Sequence, residues 1–286
     1  MNKNPLKQNL KSASSFLKDY EAPPQPDLDT TKGIILYLEG INVSFDSFKA
    51  INELNLYIKQ GELRCIIGPN GAGKTTMMDV ITGKTKPQSG TAWFGQKLNL
   101  LTMDEPQIAQ AGIGRKFQKP TVFEALTVND NLMIANAGKK TVWHTLRHQV
   151  NQIEQEQIEE ILLLIGLMEM RNESAAILSH GQKQWLELGM LLMQKPQLLL
   201  VDEPVAGMTT QEMDKTAELL NSLAGKHTLV VVEHDMDFVR QIAKTVSVLH
   251  QGSILAEGNM EQVQNNPKVI EVYLGQSTTG RNVNVA

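Results

Sequence analysis

One cysteine, Cys65, is all the thiol this sequence of 286 residues holds. That excludes an internal disulfide framework and any multi-thiolate zinc site. Its place in the apolar run "LRCII" predicts a buried, inert thiol. Long hydrophobic runs are missing as well. Stretches such as Ile161–Leu164 and Leu198–Val201 fall far short of the roughly 18–20 residues that span a bilayer. No positively flanked apolar start marks a secretory signal. The expectation is a cytosolic chain, with any membrane work left to partners. Nor is basic charge in excess: 27 Lys and Arg against 31 Asp and Glu give a net charge of -4, which argues against a nucleic-acid binder. No internal repeat is visible.

What is present is alternation. Residues 1–33 are polar, with "SASS" at Ser12–Ser15 and then "APPQP", and predict a flexible arm. From Ile34 short β-type runs follow: "IILYL", then "LNLYI" with alternate residues apolar, then "LRCII", as apolar as a strand buried on both faces. "KTTMMDVITG" predicts a helix ending at Gly83. Between Thr127 and Gly166 the pattern is helical, with Trp143, Leu146, Val150 and Ile153 at helical spacing. Another helix follows Gly181, carrying Trp185, Leu188 and Leu192 on one side. Strand and helix then alternate again. "LLLVDEP" is a buried strand, "TTQEMDKTAELLNSLAG" a helix with capping-box spacing at Thr209 and Glu212 and a stop at Gly225, and "TLVVVE" a strand. A helical block therefore interrupts an α/β layer.

The chemistry begins at "GPNGAGKTT", which matches G-x-x-x-x-G-K-[ST] between a strand and a helix. Gly68, Gly71 and Gly73 let consecutive N–H groups turn inward around phosphates, with Pro69, Asn70, Ala72 and Thr76 completing the loop. The helix aims its positive end at the same charge. Lys74 reaches the β- and γ-phosphates, and the Thr75 hydroxyl ligates Mg²⁺. Asp202 ends a buried strand and holds Mg²⁺ through water. Glu203, next to it, orients or deprotonates the attacking water. His234 also follows a buried strand, where α/β sheets bind ligands. Gln118 follows a short extended run.

Phosphate loop, Gln118, "LSHGQ", "LLLVDEP" and His234, in that order, resemble the ATP-binding cassette (ABC) ATPases of membrane transporters over roughly Ile34 to Gly275. The resemblance implies a P-loop cassette: a mixed, largely parallel sheet core, an antiparallel β subdomain, and a helical subdomain at about 120–190. The cassette would span 34–275, with a tail at 276–286. It implies ATP and Mg²⁺ as cofactors, with Gln118 at the metal and His234 at the γ-phosphate. Phe45 stands where that family stacks an aromatic on adenine; a plain core Phe is the other reading. In that family the "LSGGQ" segment serves the nucleotide of a second subunit, so Ser179, Gly181 and Gln182 are assigned to it. His180 replaces the first glycine of the usual pair, at little cost if position 180 faces outward.

The partners implied are a second ABC ATPase (a related chain or the same one), two membrane permeases and an extracytoplasmic substrate-binding protein. Val122, Phe123 and Leu126 stand where a permease helix docks, though a plain core explains them equally well. "PVAGMT", Pro204–Thr209, resembles the uptake branch for branched-chain amino acids, amides and urea. "LSHGQKQWLELGMLL" and the closing "VIEVYLG" resemble its urea-transporting members, which makes urea the expected cargo and branched-chain amino acids or short amides the alternative. A cassette ATPase of DNA repair or ribosome work would bring a coiled-coil insertion or a second cassette. A small-molecule kinase would leave "LSHGQ" unexplained.

Overall fold

The computed structural model describes residues 27–136 and 152–272. In chain order its first elements are β1 (Ile34–Phe45), β2 (Phe48–Lys59), β3 (Leu63–Ile67), α1 (Lys74–Ile81), β4 (Ser89–Phe94), β5 (Leu98–Asn99), α2 (Glu105–Gln110) and β6 (Ile113–Lys116). Helices α3 (Val128–Ala135), α4 (Gln152–Leu164) and α5 (His180–Met193) follow, then β7 (Leu198–Asp202), α6 (Thr210–Leu223) and β8 (Thr228–Val232). Last come α7 (Met236–Ile242), β9 (Thr245–His250), β10 (Ser253–Gly258) and α8 (Met260–Gln264).

The chain divides into two compact units. One holds residues 27–111 and 229–272. In it a 4-stranded antiparallel sheet runs β2-β1-β4-β5. There too β3 lies parallel to both β8 and β9, while β10 turns back antiparallel on β9. Every residue of β3 and β8 is buried, as the unbroken apolar runs predict. Residues 27–33, which composition groups with the N-terminal arm, are tied down. Asp29 accepts from Thr31 N (3.1 Å) and Oγ (2.8 Å), and its carbonyl accepts from Gln96 N at 2.9 Å.

The other unit holds residues 112–228. Here β6 and β7 pair in parallel, the helical stretch expected between Thr127 and Gly166 supplies α3 and α4, and the next expected helix is α5. Helix α5 starts on Ser179, whose side chain and that of Gln182 form a capping box. Trp185, Leu188 and Leu192 lie buried along it, as their spacing predicts. Helix α6 starts on Thr209 with the expected partner Glu212, and Gly225 beyond it takes φ 91°. Helix α4 buries Ile158, Ile161 and Leu162, whereas Ile153 at its start is exposed. Trp143, Leu146 and Val150 lie outside the described residues. Among the described residues no helix is long and apolar enough to cross a membrane. These are the mixed α/β elements expected, with antiparallel and parallel strands and a helical block.

Candidate nucleotide site

The phosphate loop leaves β3 at Ile67 and enters α1 at Lys74, as its sequence predicts. Its glycines are steric requirements. A Cβ on Gly68 would overlap the Leu249 carbonyl, and one on Gly73 would lie 2.5 Å from Ala50 O. Gly68, Gly71 and Gly73 all take positive φ (156°, 78° and 103°), which other residues rarely adopt. Ala72 is buried, while Asn70, Gly71 and Thr75 are exposed. No side chain caps the start of α1, so its first N–H groups keep their affinity for an anion. Lys74 Nζ donates to the carbonyls of Gly68 (2.7 Å) and Pro69 (3.0 Å), which holds the ammonium within the loop.

Two further expected residues belong to the loop's own unit. Phe45, at the end of β1, is 49% exposed, which excludes the core reading; its partner across the β1–β2 turn, Phe48, is 59% exposed. His234 is exposed, and the loop bearing it is fixed by buried Glu233, whose carboxylate accepts from His234 N (2.7 Å) and Asp235 N (3.1 Å). Burial, and to a lesser degree the Glu233 carboxylate, raises the Cys65 thiol pKa, so the thiol is buried as expected.

The carboxylates lie in the other unit. β7 is buried throughout and ends on Asp202. Desolvation raises the Asp202 pKa, opposed by Arg115, whose guanidinium lies 3.6 Å away and stacks over Phe117 at 4.8 Å. Glu203 follows at φ 43°, a left-handed conformation that costs a non-glycine residue about 1–3 kcal/mol and recurs at functional sites. Gln118 Nε2 donates to Glu203 Oε2, so two residues 85 positions apart meet. Sequence reasoning missed Arg115; the basic pair Arg115-Lys116 just before Gln118 was its only signal.

Ser179 Oγ accepts from Gln182 N (3.2 Å) and donates to Glu212 Oε1 (3.3 Å), and Ser179 is exposed. A Cβ on Gly181 would lie 2.6 Å from Glu212 Oε1, so a larger residue here must displace that carboxylate. His180 is exposed, the orientation at which its replacement of a glycine costs little.

A family model described as ABC transporter matches residues 51–206, and one described as branched-chain amino acid ATP-binding cassette transporter matches residues 253–277. The high-affinity branched-chain amino acid transport ATP-binding protein LivG of Escherichia coli K12 is 35% identical over 252 residues, 85% of this chain and 98% of its own. BraF of Pseudomonas aeruginosa, with the same description, is 33% identical over 257 residues, 85% of this chain and 98% of its own. The structure of MJ1267 in its ADP conformation, an ATP-binding cassette of an ABC transporter, superposes with a TM-score of 0.73 at 31% identity, over 85% of this chain and 99% of that one. A dimeric post-hydrolysis state of the cassette MJ0796, bound to ADP and Pi, superposes at 0.67 with 25% identity, over 79% of this chain and 99% of that one. The cargo stated for LivG and BraF is branched-chain amino acids, and the urea expectation finds no support in them. The chain belongs to the ABC transporter ATPases, the ATP-binding cassettes that hydrolyse ATP for transport.

Proposed function

We propose that this chain is the ATP-hydrolysing subunit of an importer for branched-chain amino acids. One observation carries the reading: the branched-chain cassette model matches residues 253–277, outside the nucleotide motifs that all cassettes share. End-to-end likeness to LivG and BraF agrees with it. Urea, the cargo first expected from resemblance, yields to the alternative, and short amides stay as a test arm.

In this reading Gly68–Thr76 cradle the ATP phosphates and Lys74 clamps the β- and γ-phosphates. The overlaps that a Cβ would cause at Gly68 and Gly73 fit a backbone cradle of that kind. Thr75, Gln118 and Asp202 are the oxygen donors suited to Mg²⁺, which supplies charge neutralisation at the phosphates when bound. Glu203 orients the attacking water, and its left-handed backbone with the Gln118 bond fixes where its carboxylate points. His234 donates to the γ-phosphate. Phe45 stacks on the base. Ser179, Gly181 and Gln182 serve the nucleotide of a second cassette, related or identical; the similar cassette MJ0796 is dimeric with ADP and Pi bound.

Partners are two permeases and an extracytoplasmic substrate-binding protein, with the chain peripheral at the cytoplasmic face. Phe123, 51% exposed, with half-buried Val122 and Leu126, offers an apolar surface for a permease helix. The test is uptake of labelled leucine, urea and a short amide by cells with and without the gene. Leucine uptake that depends on the wild-type chain and fails with Lys74→Ala supports the proposal. Urea or amide uptake with that dependence, and leucine uptake without it, overturns the cargo.

A further inference from the structure

On the reading that this chain turns over ATP, we infer that Gln184 and Glu187 are positioning residues that lock the backbone around Gln118 to helix α5. Gln184 is 1% exposed, and its Nε2 lies 3.1 Å from Gln118 O and 3.2 Å from His180 Nε2. A carbonyl only accepts, so the amide nitrogen must face Gln118 O, and this fixes which way the amide points. Its second N–H then meets His180 Nε2, which accepts and leaves the ring proton on Nδ1. The histidine standing where the family signature has glycine thus orients the amide that holds Gln118.

Glu187, three residues further along α5 and 4% exposed, holds the other end of the same segment. Its Oε1 accepts from Thr121 N (3.1 Å) and Thr121 Oγ (2.6 Å), and its Oε2 lies 3.8 Å from Lys116 Nζ. Residues 117–121 belong to no helix or strand, so no backbone ladder holds them. The Gln118 side chain is exposed and reaches Glu203 from that segment. Its aim therefore depends on ties from α5, the helix that Ser179 caps. A shift at Ser179 is carried along α5 to the Gln118–Glu203 pair. Side chains, not the loop's own geometry, are the linkage.

The experiment measures ATP turnover of the assembled transporter and ATP affinity of the full chain, with a double-mutant cycle. Gln184→Met keeps the volume and removes both donors. It should lower kcat by on the order of ten- to a hundredfold, the effect of a small misplacement, with ATP affinity unchanged. In the Gln118→Ala background, where no side chain is left to aim, Gln184→Met should cost nothing more. Glu187→Gln keeps an acceptor for Thr121 and should retain far more of kcat than Glu187→Leu. If Gln184→Met does not fold, Gln184→Asn, one methylene short of the carbonyl, takes its place in the cycle. Unchanged kcat, or losses that multiply in the double variant, overturns the inference. A wild-type complex that fails to hydrolyse ATP refutes the underlying reading instead.

Discussion

At the scale of single residues, the exposure of Phe45 separates binding from stability. A ring 49% exposed contributes little to the core, so Phe45→Ala should barely change the melting temperature. Stacking on a base is worth about 1–3 kcal/mol, so the KM for ATP should rise about fivefold to a hundredfold while kcat holds. An unchanged KM would remove Phe45 from the site. His227 makes a different point. Burial lowers its pKa below the usual imidazole value, despite the bond from its Nδ1–H to Pro196 O at 2.6 Å. The unfolded chain then binds the proton more readily than the folded one near pH 6.5 and below. Stability is thus present at neutral pH and lost as pH falls through the unfolded value. Thermal unfolding at pH 7.5 and 5.5 should show a steeper loss in the wild type than in His227→Asn, whose amide still has a donor for the carbonyl. Parallel losses in the two proteins would clear His227 of the effect.

Elements show why some of the site was legible and some was not. The phosphate loop could be read because the required conformations demand glycine at set positions between a fully buried strand and a helix. The spacing implied glycine at Gly68 and Gly73; the contacts with Leu249 and Ala50 that fix them there appear only in the structure. Asp202 was legible because four apolar residues before it form a strand that buries completely. Arg115, Gln184 and Glu187 were not, since each acts on a residue distant in sequence, and pairing across such gaps leaves no periodic trace. The fate of residues 27–33 depended likewise on the distant partner Gln96. The junction of α5 and α6 is a case the structure alone exposes. Glu212 Oε2 accepts from Thr209 N and Oγ, both at 2.9 Å, while its other oxygen sits against Gly181 and Ser179. Gly181→Ala must push that carboxylate aside and loosen the cap of α6. The loss should be about 1 kcal/mol, similar to that of Thr209→Ala, which removes the cap residue itself. Because both act on one cap, thermal unfolding of the double variant should show less than the sum. Full additivity would mean that Gly181 and the cap are independent.

At the scale of the whole molecule, the proposed function gives the serine-and-glycine segment a second cassette to serve. Ser179 is exposed; its Oγ donates to Glu212 and accepts from Gln182 N, and its N–H is given to Gln182 Oε1 at 2.9 Å. The dipole of α5 favours an anion at its start, and on the proposed function that anion is the phosphate of a second cassette. If a second cassette supplies that phosphate, ATP must strengthen association and its hydrolysis must weaken it, because a ligand shifts an equilibrium only through the state it binds better. Glu203→Gln removes the carboxylate proposed to orient water but keeps its volume and the bonding capacity toward Gln118. It should bind ATP normally, hydrolyse it slower by about a hundredfold or more, and accumulate the associated form. Light scattering of this variant should show a mass near twice the monomer with ATP and the monomer with ADP, if like chains pair. If a related chain is the partner, the same shift should appear only when the two are mixed. Ser179→Arg on one side should abolish it at the facing site while leaving ATP binding by its own phosphate loop intact. Should Glu203→Gln turn over ATP at the wild-type rate while remaining a monomer at saturating ATP, neither the water-orienting role nor the shared site would survive.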